Sequence, residues 1–206
     1  ARPPINRLAQ LRGKRVGVET EAEGGYILAR ILDHAGLKEG DLKVVELTLE
    51  EHEQAYRSGK VDALITMDPV RARLLTAGAN ELFSSKQIAG ELVDLLLVRE
   101  GIPDTHARAL QSLVNAHFRA LDSIRANPDK AAGGLPPRFG PQQQLLWSWA
   151  MMDFSGRGAN LRLLDSGGLR NSADRVTDVM QRRGLIRGEN VPRLELEPRF
   201  VANAGR

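Results

Sequence analysis

The chain has 206 residues, 42% hydrophobic and 27% charged, with a formal net charge of +3. That is an ordinary globular composition, long enough to bury a core in one large domain or two small lobes. The near balance of charge demands no nucleic-acid partner, the lack of cysteine excludes disulfides and thiolate metal sites, and the longest apolar run, Leu92–Val98, broken by Asp94, falls far short of the about 20 residues of a membrane span. No signal-peptide pattern opens the chain. It begins Ala-Arg-Pro-Pro rather than with Met, and the expectation is a mature form or an excised fragment.

Residues 1–13 read as a lead-in segment with Ile5, Leu8 and Leu11 on one apolar face, ended by Gly13. Two periodicities then alternate. Lys14–Glu19 reads as a strand and Gly24–Ala35 as a helix stopped by Gly36. Lys43–Leu49 is a strand before the acidic helix Glu50–Arg57, closed by Ser58-Gly59. Ala63–Met67 is a strand. Pro69 suits a helix start because its missing N–H does no harm there, and Val70–Ala77 is that helix, ended by Gly78. Leu82–Ser85 is a further strand candidate, and Leu92–Arg99 has the strongest strand pattern of the chain.

This rhythm predicts an α/β fold with a parallel sheet covered on both faces. Ligands in such sheets collect beyond the carboxyl ends of the strands, and right-handed crossovers put the loops at Thr20–Gly25 and Met67–Pro69 on one edge. The candidate binding residues in and beside these loops are Thr20, Glu21, Gly24, Gly25, Tyr26, Met67 and Asp68. Gly24-Gly25 opens a helix, where free N–H groups and the dipole favour a polar ligand, and glycine lets a ligand approach the backbone. The same pair also suits a plain strand-to-helix turn that binds nothing. Asp68 accepts hydrogen bonds from a ligand amine on one reading and caps the helix begun at Pro69 on the other. Glu21 and Glu23 beside the first loop disfavour an anion, so a neutral or cationic ligand is expected.

Beyond residue 100 the pattern turns helical. Pro103-Asp104-Thr105 signals a helix start, and His106–Arg125 places Leu110, Leu113, Val114, His117, Leu121 and Ile124 on one face. Asn127-Pro128 ends or kinks it, and residues 133–137 read as a loop. Gln142–Met152 and Gly168–Arg183 are two more helices, with 153–166 irregular between them. The tail from Val191 reads as extended or poorly packed.

The order of motifs resembles a known family. Val16-Gly17-Val18-Glu19 with Gly24-Gly25-Tyr26 and Ala35-Gly36-Leu37 is one marker. Val61–Ile65 with Met67-Asp68-Pro69 is a second, and Leu82–Ser85 with Ile88–Asp94 and Leu96–Arg99 a third. From about Leu11 to Gly184 the chain is similar to the nitrate/sulfonate/taurine-type solute-binding proteins of ABC importers, which include binders of thiamine-precursor pyrimidines. The resemblance implies a type II periplasmic binding fold: residues 14–100 as one complete α/β ligand-binding lobe with the strand end at Met67 and Asp68 facing the cleft, 101–190 as a helical region returning to the other lobe, and 191–206 as an extended tail. The family's opening first-lobe segment has no counterpart here, which leaves self-association open.

No enzymatic constellation stands out. His52 lacks a second histidine at zinc-protease spacing, His34 and His117 read as structural, and no nucleophile elbow, phosphate loop or catalytic triad is present. Glu50-Glu51 suits a helix start. Trp147 and Trp149 point in different directions on a helix, as core or as one stacking residue, and Arg182, Arg183 and Arg187 suit a helix end or, on a sharper reading, a nucleic-acid surface. The resemblance implies a non-catalytic solute-binding component, periplasmic or otherwise extracytoplasmic and open to anchoring through a removed N-terminal segment. It would use no cofactor and no metal, with a small-molecule ligand and transporter membrane subunits as partners and no nucleic acid. The alternatives are the sensing domain of a signalling receptor and an enzyme of thiamine-precursor type.

Overall fold

The computed structural model describes residues 1–21, 23–165, 167–187 and 195–205. The chain divides into a sheet unit, Ala1–Leu92 with Arg175–Val191, and a helical unit, Val93–Asp174 with Pro192–Arg206.

In the sheet unit, β1 (Arg15–Val18), β2 (Lys43–Glu46) and β3 (Ala63–Leu64) form a parallel sheet of order β2-β1-β3. The register pairs Val16 with Val44 and with Ala63, and Gly17 with Val45 and with Leu64. The central strand is buried along Val16–Val18, as an apolar run covered on both faces must be. Alternation along it separates two cores. Val16 and Val18 join Leu28, Ile31 and Leu32 of α1 (Glu23–Ala35), together with Ile5 and Leu11. Gly17 faces the opposite way, where an added Cβ would lie 2.7 Å from Leu47 and 2.9 Å from Leu64. That side holds Leu47, Val61, Tyr56 of α2 (His52–Arg57) and Leu74 of α3 (Val70–Thr76). The outer face of α1, Tyr26 and Ala29, is covered by Ile88 and by Val176, Val179 and Met180 of α9 (Gly168–Arg182).

Arg15 at the start of β1 locks onto Asp62 ahead of β3. Its backbone N–H and Nε donate to Oδ2 at 2.9 and 3.1 Å, and Nη2 donates to Oδ1 at 2.7 Å. This fork holds the Asp62 carboxyl at about 2, against an ordinary 3.8. The folded state thus favours the charged form. The pair contributes its full stability above about pH 4 and loses it as pH falls toward 2. Asp62→Asn should flatten that limb of a thermal-denaturation series against pH and leave the limb above pH 5 parallel to wild type.

The helical unit contains α4 (Ile102–Thr105), α5 (Ala107–Ala126), α6 (Pro128–Gly133), α7 (Gln142–Met151), α8 (Arg157–Asp165) and α10 (Arg199–Ala202). Asn127 ends α5 and caps α6, its side chain accepting from the Lys130 N–H at 2.9 Å. Of the predicted stripe on α5 only Leu121 is buried, and Leu113 is half exposed.

Four sequence expectations are corrected. Leu82–Ser85 forms no strand: Leu82 and Phe83 pack on the sheet core, and Ser85–Ile88 is a 3-10 turn. Leu92–Arg99 has strand chemistry but no neighbouring strand. Among the described residues no backbone hydrogen bond reaches 92–98, and Leu96 and Leu97 are 62% and 73% exposed. β-propensity reports fit to a pleated surface and does not replace a missing partner. The 153–166 segment contains α8. The tail is described from 195 to 205, and there α10 buries Phe200 while Arg157 Nε donates to Val201 O at 3.0 Å. The stretch 188–194 lies outside the described residues.

Candidate functional site

Strands β1 and β3 end side by side, and the loops that leave them meet in one cavity of the sheet unit. Its polar wall is Glu19, Glu23, His52 and Thr66; its apolar wall is Ile27, Leu49, Ile65 and Met67, with the Gly24 backbone between them. The cavity volume is about 30 Å³. On that measure one water needs roughly 10–15 Å³, so the space takes one head group rather than a whole organic solute.

His52 opens α2 and is buried, 2% exposed. Its Nδ1 lies 3.1 Å from Thr66 Oγ1, and its Nε2 has no partner. Burial pushes its pKa below the ordinary 6.5, against the opposing pull of Glu19, Glu50 and Glu51, so the ring is neutral at neutral pH. The Thr66 hydroxyl can donate or accept, so Nε2 presents a lone pair when Nδ1 donates to Thr66 and an N–H when Nδ1 accepts from it. Buried polar atoms are rarely left unpaired in folded proteins, which makes the free Nε2 the feature of this wall that most needs a ligand.

The structure places the predicted residues as follows. Gly24 and Met67 line the cavity, so the two loops do share one opening. The pair Gly24-Gly25 is explained by packing: a Cβ on Gly24 would lie 2.3 Å from the Glu19 carbonyl oxygen, and one on Gly25 2.6 Å from that of Thr20. The close approach is made by the loop's own carbonyls. Thr20 is tied to the end of β2, its N–H and hydroxyl donating to Glu46 at 2.8 and 2.6 Å. Glu21 is exposed and lies outside the cavity wall. Asp68 accepts from the Ala72 N–H at 3.2 Å, which is the capping role. Glu51 likewise accepts from the Thr48 N–H at 3.0 Å.

Tyr26 is buried on the outer face of α1, and its hydroxyl donates to Glu91 at 2.6 Å. Arg30 holds the same carboxylate through Nε at 2.7 Å and Nη2 at 3.1 Å and also reaches Asp33, which pairs with Arg183. Burial works to raise the Glu91 pKa, but Arg30 and Tyr26 together hold it below its ordinary value. Burial and the Glu91 bond push the Tyr26 phenol well above its ordinary value. This network fastens α1 to the chain before residue 92. Tyr26→Phe should therefore lower the unfolding free energy by about 1.5 kcal/mol, the scale of a hydrogen bond to a charged group, and leave solute affinity unchanged in calorimetric titration.

Sequence reasoning missed Glu19, His52 and Thr66. The usable signal was positional: each stands at or just beyond the carboxyl end of a parallel strand, or on the helix that follows one. Among the described residues no His, Asp or Glu cluster could hold a metal ion, and no helix is long and apolar enough to cross a membrane.

The fold matches solved proteins. The periplasmic aliphatic sulphonate binding protein of Escherichia coli aligns with a TM-score of 0.72 at 18% identity, covering 90% of this chain and 62% of that one. The assigned periplasmic sulfonate-binding protein of Methylobacillus flagellatus KT aligns with a TM-score of 0.75 at 18% identity, covering 97% and 61%. In sequence, the taurine-binding periplasmic protein of Escherichia coli K12 is 25% identical over 128 residues, which is 61% of this chain and 40% of that relative. The chain thus spans less than two thirds of the length of each of these three proteins. The family model described as NMT1/THI5 like matches residues 1–131. The resemblance read from the motif order is therefore borne out, and the chain belongs to the NMT1/THI5 like family.

Proposed function

We propose that this chain is a solute-binding component of an ABC import system, working outside the cytoplasmic membrane without altering what it binds. The observation that supports it best is the cavity at the carboxyl edge of a parallel sheet, with a buried imidazole whose Nε2 is unpaired and apolar side chains in its wall. Parallel sheets bind ligands at that edge. The solved relatives named for sulfonate binding share the fold, and small organic solutes are the ligand class we assign. Contacts from this edge would favour a ligand-bound state over an empty one, the general basis of transport by closure around a solute. Transporter membrane subunits are the partners in this reading.

The test has two arms. The chain is incubated with a small-metabolite extract and the bound fraction identified by mass spectrometry. Uptake of the recovered compound is then measured in cells with and without the gene. The proposal predicts a solute recovered chemically unchanged whose uptake depends on the gene. A converted product, or uptake independent of the gene, would overturn it.

A further inference from the structure

The ligand-facing wall of the sheet unit has a definite chemical sign. Glu19 and Glu23 stand on it, and among the described residues neither forms an ion pair. No Lys or Arg lines the cavity. The positive contributions nearby are the N-termini of α1 and of the shorter α2, each equivalent to at most roughly half a unit charge. Two full carboxylate charges outweigh them at similar distance. Independently of the acids, His52 is buried to 2% exposure with Nε2 unpartnered, and Nδ1 is engaged by Thr66. With Nδ1 as the donor in that contact, Nε2 presents a lone pair. The polar wall is then a set of acceptors that calls for donors. Met67, 44% exposed, and Leu49, 37% exposed, supply apolar surface at the rim.

We propose that this cavity receives a cationic nitrogen, the primary ammonium end of a small organic solute, with Glu19 and Glu23 balancing its charge and His52 Nε2 accepting one of its N–H groups. The inference rests on the solute-binding reading and adds the chemistry of the end of the solute held here. A volume of about 30 Å³ suits an ammonium group with its first carbon, and the alkyl portion then lies along Met67 and Leu49. An aminoalkylsulfonate meets this requirement through its amine. A sulfonate without an amine does not.

The experiment is an amide NMR titration of the full chain with propylammonium chloride and, separately, sodium 1-propanesulfonate at matched ionic strength. Propylammonium should produce saturable shifts at Gly24, His52 and Thr66, and 1-propanesulfonate should leave those three unmoved. Glu19→Gln combined with Glu23→Gln should weaken the propylammonium response at least tenfold, and Glu21→Gln, outside the wall, should leave it unchanged. Unaltered amide positions through the core of β1 establish that each variant is folded. Shifts by 1-propanesulfonate at the same residues, no response to propylammonium, or a response that survives removal of both carboxylates would each overturn the assignment. Those outcomes leave the solute-binding reading intact, because that reading falls only on the recovery and uptake measurements.

Discussion

Leu32→Ala should remove about 2–5 kcal/mol from the unfolding free energy of the sheet unit, the range seen when a buried leucine is cut to alanine and the site cannot collapse around the gap. Leu32 is 2% exposed and stands where α1 meets Val16 and Val18 of the central strand. Its neighbours Leu28 and Ile31 are held by the same helix, and the sheet below is pinned by the Arg15–Asp62 fork. The wall therefore cannot close easily over the hole. Because α1 also carries Glu23 and Gly24 of the cavity, the loss should be accompanied by weaker solute binding even where the variant remains folded. The control is Leu97→Ala. Leu97 is 73% exposed, and surface truncations of this kind stay within about 0.5 kcal/mol. Urea denaturation followed by amide hydrogen exchange separates the sheet unit from the helical unit and reads both variants.

His52→Met should separate stability from binding. Methionine is close to histidine in volume and adapts to irregular space, so it removes an unpaired buried polar atom without opening a cavity. Removing the unpaired Nε2 is favourable, and losing the Nδ1–Thr66 contact at 3.1 Å offsets that gain. The unfolding free energy at neutral pH should stay within about 1 kcal/mol of wild type, while affinity for the recovered solute falls at least about tenfold, one hydrogen bond's worth of free energy. A residue that serves only the core would give no loss of binding. The pH dependence offers a second check. Burial disfavours the His52 cation in the folded chain, so below about pH 6.5 the unfolded chain binds a proton that the folded chain does not. The associated stability is complete above about pH 6.5 and declines as pH falls from there. The groups that oppose this are Glu19, Glu50 and Glu51, and the methionine variant should lack the decline. The Asp62 contribution is lost only below about pH 4, so the His52 decline begins at a higher pH than the Asp62 one.

The alternation from Lys14 to Gly78 is legible in the sequence because each element is decided locally. Val16–Val18 is too apolar for a half-exposed strand. Gly36 and Gly78 adopt positive φ angles of 63° and 89° where helices stop, as glycine there allows. The common edge of the two loops followed from the alternation of strand and helix, which makes neighbouring strands parallel. What was not legible depends on contacts distant in sequence. Leu92–Arg99 has an unambiguous strand composition, yet pairing is a property of two segments. Arg157–Asp165 opens Arg-Gly-Ala-Asn and reads as loop; it becomes helix because Asn160 Nδ2 donates to Ser155 O at 2.8 Å and Arg157 ties it to α10. Phe200 looked like tail until burial assigned it to a core.

The candidate site divides the same way. Gly24 and Met67 were identifiable by position at strand ends. Tyr26 sits two residues from Gly24, but a helix turns about 100° per residue, which carries its ring to the outer face and its hydroxyl to Glu91. Thr20 and Asp68 are polar residues at the right edge whose hydrogen bonds are spent on Glu46 and on the first turn of α3. His52 has no metal-ligand spacing around it, and its significance lies in burial with Nε2 unpaired, which no local pattern encodes.

The most direct measurement is a crystal structure of the chain grown with the solute recovered from the metabolite extract. The account predicts electron density for that solute at the edge formed by β1 and β3, with a donor group within hydrogen-bond distance of His52 Nε2 and close to Glu19 and Glu23. A solute bound elsewhere on the chain, with this cavity unchanged and His52 Nε2 still unpaired, would contradict it.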